Sequence, residues 1–293
     1  MQSQSAVLEM DLQHIAETLI INGTLTECPG LVHGKTGIAI FFFHYAQYTE
    51  NELFADYAMD LIYEMLNQLH VNSSSDYENG LAGIGVGIDY LIQNNFLNVE
   101  DDVCGEFDER MYHAVMHKPS QNFSKYTGLT GYGKYWITRL RYQEPSVQAR
   151  EYLLRIIVAI EENLPKISIK ERTDVYCFLC DLLGILGFES CSWILEQCRK
   201  IWAFSSSDCF QHFPRFDNFV VGSIIRVYQL SKYFNATLQD DIDINIDIAL
   251  KQIIALDMGK APASTGLLSG YAGEGMIRLT ALNKTDKEWM NLL

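Results

Sequence analysis

Apolar positions along the chain fall into two kinds of helical pattern. Leu53, Phe54, Tyr57, Ala58, Leu61, Ile62, Met65, Leu66 and Leu69 recur at alternating three- and four-residue steps, which predicts a helix with one buried face. Residues 147–160 and 246–256 read the same way. Residues 38–43 and 84–92 are apolar most of the way round, the pattern of a helix enclosed on every side. The stretch 241–248 alternates with period two, like a strand. Ile246, Ala249, Leu250 and Ile253 also suit a helix, and the repeat requires a helix there.

A glycine phrase precedes the buried stretches. It reads Gly30-Leu31-Val32-His33-Gly34-Lys35-Thr36-Gly37, then Gly80-Leu81-Ala82-Gly83-Ile84-Gly85-Val86-Gly87, then Gly128-Leu129-Thr130-Gly131-Tyr132-Gly133. It returns as Gly266-Leu267-Leu268-Ser269-Gly270-Tyr271-Ala272-Gly273, with weaker copies at Leu182-Leu183-Gly184-Ile185 and Val220-Val221-Gly222-Ser223. Anchored on Gly34, Gly83, Gly131, Gly184, Gly222 and Gly270, the intervals are 49, 48, 53, 38 and 48 residues. Such spacing signals a helical array or a closed ring, and residues 1–293 read as one all-α domain. Each repeat is expected to hold an outer amphipathic helix, a glycine turn and an inner buried helix. Glycine suits that turn because it accepts positive φ and lets backbones approach closely.

With 48% hydrophobic residues and a mean hydropathy of -0.01, the chain has an ordinary globular composition. Its 37 acidic and 22 basic residues leave a formal charge of -15, a field that repels nucleic acid and anionic membranes. Neither is an expected partner. No apolar run approaches the roughly 20 residues that span a bilayer. The first ten residues are polar and include Glu9, unlike a signal peptide. Seven cysteines, several within helical patterns (Cys177, Cys180, Cys198), fit free thiols in a reducing cytoplasm, the expected location.

Residues 80–91 and 266–276 resemble repeats of the lanthionine synthetase C-like (LanC-like) family, and the resemblance extends through the glycine phrases over nearly the whole chain. It implies an α/α toroid, an inner ring of helices inside an outer one. The family's cyclases usually have seven helix pairs; about six are counted here, with a stub at 286–293. The resemblance also implies a role in bacterial peptide modification of the lantibiotic type. There, a cysteine thiol adds to a dehydrated serine or threonine. A free thiol is only about 3% ionised at pH 7, and zinc overcomes this by binding the sulfur as thiolate.

The family holds zinc with the cysteine of a Trp-Cys-x-Gly phrase and with a Cys-His-Gly phrase. Taking Gly184 as the final glycine of the first places its cysteine at Leu179, between Phe178 and Cys180. Taking Gly222 as the second glycine of the other places Cys-His-Gly on Asp217-Asn218-Phe219. With no ligand of the set present, the expectation is a toroid without metal or cofactor. It would bind a precursor peptide or a peptide-modifying partner enzyme, with any remaining catalysis undecided. One alternative keeps cyclase activity through a shifted metal site using Cys180 and Asp217.

His33, Lys35, Asp217, Asn218 and Glu274 are the candidates for the cavity mouth, where the alternative is solvated loop side chains. The Cys177-x-x-Cys180 pair reads either as a metal site or as small buried hydrophobes. Cys209 and His212 have only loose metal spacing. Residues 30–36 read G-x-x-x-G-K-T, one residue short of a phosphate loop and not preceded by a strand. Acidic clusters at Asp101 and Asp102 and at Asp240, Asp241, Asp243 and Asp247 precede outer helices, where carboxylates favour the N-terminus. An enzyme acting on carbohydrate or isoprenoid would need two of Asp89, Asp181, Asp217 and Glu274 facing each other within about 5 to 10 Å.

Overall fold

The computed structural model describes residues 4–98, 105–117, 119–142, 147–188, 190–202, 220–233 and 264–293. Asp101, Asp102, Cys209, His212, Asp217, Asn218 and the stretch 240–256 lie outside them. Among the described residues the regular structure is helical, apart from one isolated bridge between Ser264 and Gly270. The helices are α1 (Gln4–Gly23), α2 (Lys35–Thr49), α3 (Glu52–Gln68), α4 (Leu81–Gln93), α5 (Gly105–Met116) and α6 (Leu129–Tyr142). They continue with α7 (Val147–Asn163), α8 (Ile169–Leu186), α9 (Ser190–Trp202), α10 (Val220–Tyr233) and α11 (Tyr271–Ala281), followed by a 3-10 turn at Glu288–Leu292. No helix among these residues is long and apolar enough to cross a membrane.

The two hydrophobic patterns become two kinds of helix. In α3 the buried residues are Ala58, Leu61, Ile62 and Met65, a single stripe laid against α2. In α2 every residue from Lys35 to Ala46 is buried, and in α4 every residue from Leu81 to Asp89. The enclosed helices touch in a definite order. Helix α2 packs on α4, α4 on α6, α6 on α8, α8 on α10, α10 on α11, and α11 returns to α2.

The glycine phrases explain this packing, for a reason other than positive φ. Among the described glycines only Gly187 has φ in the left-handed region. Gly37, Gly83, Gly131 and Gly273 are each the third residue of their helix. A Cβ on any of them would collide with the main-chain carbonyl six residues earlier, on Leu31, Tyr77, Lys125 and Leu267 respectively. The loop folds back tightly over the helix start because that Cβ is missing.

The same loops join neighbouring repeats. Leu267 N–H donates to the Val32 carbonyl at 2.8 Å, Val32 N–H to the Glu78 carbonyl at 3.2 Å, and Tyr77 N–H to the Tyr126 carbonyl at 2.9 Å. One turn further along, Gly85, Gly133 and Gly275 lie against the rings of Tyr135, Phe178 and Phe41, each from the next enclosed helix.

Gly184 departs from this register. It lies exposed near the end of α8, and a Cβ there would meet nothing within 4 Å. Tyr135 and Phe41 each stand four residues after their helix's tight-turn glycine, so Phe178 assigns that place in α8 to Asp174. The turn glycine expected at Gly184 is therefore an aspartate ten residues earlier.

The C-terminal segment fills space between the enclosed helices. Trp289, Met290, Leu292 and Leu293 are buried, and Trp289 Nε1–H donates to Thr280 Oγ1 at 2.9 Å. Tyr77 Oη–H donates to the Leu292 carbonyl at 2.7 Å, and Tyr228 Oη–H to Asn291 Oδ1 at 3.1 Å, so this segment is held from both halves of the chain.

Two glycine-to-alanine changes should move stability in opposite directions. Gly83→Ala overpacks the turn against Tyr77 and should cost about 1–3 kcal/mol. Gly184→Ala meets open space in a helix and should stabilise by about 0.5–1 kcal/mol. Urea unfolding midpoints of the two variants check both signs.

Candidate functional site

A cleft of about 490 Å³, its open mouth included, lies between α6, α8, α10 and the C-terminal turn. Helix α8 supplies its floor. The helix starts at Ser168, whose N–H is capped by the Glu171 carboxylate at 3.2 Å. Asp174, Cys177 and Asp181 then follow at three- and four-residue steps, which sets all three on the face turned to the cleft.

Asp181 is the electrostatic centre. It is buried and accepts from Lys134 Nζ of α6 at 2.9 Å and from Tyr233 Oη of α10 at 3.0 Å, with Lys232 Nζ at 3.5 Å. Burial alone would raise its carboxyl, but the two ammoniums and the phenol hold it down at about 2. Asp181 thus stays ionised and ties three enclosed helices together.

Asp174 behaves oppositely. Burial raises its carboxyl above the ordinary range, although the Lys125 main-chain N–H donates to Oδ2 at 2.9 Å and the Lys125 side chain adds a favourable charge. Lys125 comes from the loop before α6. Burial and the nearby Lys134 charge lower its ammonium well below the usual lysine value. Its Nζ stands 5.2 Å from the centre of the Tyr77 ring and makes no hydrogen bond or ion pair with a described residue. Cys177 is pushed up by burial, so the thiol is neutral and a poor nucleophile. Phe178 and Met290 give the cleft apolar wall, and Tyr228 and Gln229 close it from α10.

The residues expected at a cavity mouth are placed elsewhere. His33 Nε2 pairs with Glu78 at 2.9 Å, between the first two loops. Lys35 is buried and ion-paired with Glu64 of α3. Glu274 is buried and pairs with Arg278 of its own helix, which also reaches Asp11 of α1 at 3.3 Å. None of the three lines the cleft. Asp217 and Asn218 fall outside the described residues. Asp89 lies 3.6 Å from Arg139 and does not line the cleft. Among the described residues there is no group of three or more His, Cys, Asp or Glu placed to hold a metal. Cys180 is half-buried near Arg199, with its thiol raised by burial to about 11.

Lys125, Lys134, Asp174, Tyr228 and Tyr233 were not among the sequence candidates. The signal for two of them is a broken repeat. Lys125 occupies the position of Leu31, Tyr77 and Leu267, each fully buried, and Asp174 occupies a glycine position. That signal appears only once the register of α8 is known.

Asp181 has a folded pKa below its unfolded value, so its contribution is present above about pH 4 and is lost as pH falls towards 2. The shift amounts to about 2 kcal/mol. Asp181→Asn leaves Lys134 and Lys232 facing each other without their counter-charge and should cost roughly 3 kcal/mol at pH 7. Its unfolding free energy should also vary less between pH 4 and 2 than that of the unsubstituted chain, as acid titration followed by circular dichroism would reveal. No family model matches the chain, and no curated protein matches it.

Proposed function

We propose that the chain is a LanC-like α/α toroid of about six helix-pair repeats that binds a peptide at the cleft of its inner helices. The peptide is a precursor of the lanthipeptide type or a segment of a peptide-modifying partner, and no zinc-dependent step occurs at the family's ligand positions. The observation that carries this reading is the order of the enclosed helices, from α2 through α4, α6, α8, α10 and α11 back to α2. Interlocked glycine turns at each described junction from α11 to α6 add support.

The metal-free part is supported by Leu179, the residue aligned with the family's cysteine, which is fully buried and cannot ligate a metal. Cys180, the basis of a relocated site, belongs to no group of three or more His, Cys, Asp or Glu placed to hold a metal among the described residues.

A carbohydrate- or isoprenoid-active enzyme has less in its favour. The two carboxyls that line the cleft, Asp174 and Asp181, project from the same face of one helix and so do not face each other across the cleft. Asp181, clamped by two lysines, is too weak a base to activate water.

The chain purified without chelator should contain well under one zinc per molecule by elemental mass spectrometry. A synthetic peptide carrying cysteine and dehydroalanine should bind without forming a thioether, and Tyr228→Ala should weaken binding about fivefold or more. Stoichiometric zinc or thioether product would overturn the metal-free reading, and absence of peptide binding would overturn the peptide reading.

A further inference from the structure

We propose that Lys125 is a nucleophilic amine that captures neutral aldehydes or ketones as an imine within the cleft, with Asp174 as the proton donor. The site announces itself by breaking the repeat twice. Three sister loops bury Leu31, Tyr77 or Leu267 where Lys125 stands, and four helices place glycine where Asp174 stands. A repeat that is followed elsewhere and violated by two contacting residues marks a site kept for chemistry. The two are joined directly, through the Lys125 N–H and Asp174 Oδ2 at 2.9 Å.

Lys125 differs from Lys35 and Lys134. Lys35 is spent on Glu64 and Lys134 on Asp181, whereas Lys125 Nζ has only the face of the Tyr77 ring among the described residues. The titratable groups around it are Lys134 of α6 and Asp174, Cys177 and Asp181 of α8. Burial and the Lys134 charge favour its uncharged form, which carries the lone pair an attack requires. The Cys177 thiol is protonated and does not compete.

The ligand class follows from the walls. The lining sets two lysines, Lys125 and Lys134, against two carboxyls, Asp174 and Asp181, so a fixed charge of either sign gains little. A neutral carbonyl compound with an apolar substituent fits, since Phe178 and Met290 can receive the substituent. The Nζ lone pair attacks the carbonyl carbon, and one of the two nitrogen protons passes to the oxygen to give a neutral carbinolamine. Asp174 then protonates the hydroxyl, which leaves as water while the nitrogen lone pair forms the C=N bond. The remaining nitrogen proton returns to Asp174, so the net change is amine plus carbonyl giving imine plus water. This assignment rests on the cleft alone and stands whether or not a peptide binds there.

The test is reductive trapping on the full chain with butanal and cyanoborohydride at pH 7, followed by peptide mapping. Lys125 should acquire the butyl group at least about tenfold faster than any other lysine, the factor that corresponds to one unit of depressed pKa. At pH 9.5 the gap should narrow, because the uncharged fraction of the ordinary lysines rises steeply between pH 7 and 9.5 while that of Lys125 is already near its limit. Lys125→Arg should abolish the fast phase and leave the slow labelling of the other lysines unchanged. Uniform labelling, or a Lys125 that stays unlabelled while surface lysines react, would overturn the assignment.

Discussion

The architecture depends on a missing methyl group. At the third residue of α2, α4, α6 and α11, the carbonyl six residues earlier occupies the space a Cβ would need. Only a turn that tight lays the preceding loop flat across the helix start, and only a flat loop presents its own N–H and C=O groups sideways. Those groups are then used up by neighbouring loops, as when Val32 accepts from Leu267 and donates to Glu78. A backbone polar group buried without a partner is costly, so each loop needs its neighbour on both sides. That mutual need converts a local turn into a definite order of helices. The glycines one turn further along do the same for side chains, since each admits a ring from the next helix.

The C-terminal turn is the other element that many parts share. It takes hydrogen bonds from Tyr77 in the first half of the chain and from Tyr228 in the second, and Trp289 packs completely out of water. Burying an aromatic side chain of that size is worth several kcal/mol at most, so its placement matters as much as its area. Met290 and Asn291 lie between the enclosed helices and form part of the cleft wall. Access to Lys125 and Asp181 is consequently shaped by a segment distant in sequence from both.

Much of the fold was legible because each helix type writes its environment into its pattern. The stripe over residues 53–69 foretold a one-sided helix, and Ala58, Leu61, Ile62 and Met65 are its buried face. The enclosed helices α2 and α4 were equally plain. The register of α8 was not, because Leu183-Gly184-Ile185 imitates Ala82-Gly83-Ile84 while the true turn position carries an aspartate. Sequence can show a glycine but not whether a carbonyl lies against it. The site was obscured for a related reason. His33 and Lys35 looked available, yet their carboxylate partners Glu78 and Glu64 lie 45 and 29 residues away and only folding brings them together.

The junction between α6 and α8 differs in kind from its neighbours. From α11 to α6, loop meets loop through main-chain bonds, which do not titrate. Between α6 and α8, the loop before α6 is held instead by side-chain carboxyls. Glu171 accepts from Phe123 N–H at 2.8 Å and Asp174 from Lys125 N–H at 2.9 Å. A carboxyl can replace the lost carbonyl acceptor, but it brings a charge into a half-buried seam, and that charge must be balanced or protonated. Lysine at position 125, where the sister loops carry leucine or tyrosine, supplies a cation at the same point. The two departures from the repeat therefore compensate one another electrostatically. Burial pushes both groups towards their neutral forms, so neither charge is fixed as firmly as that of Asp181. A seam built from main-chain bonds alone would have been sturdier and chemically inert.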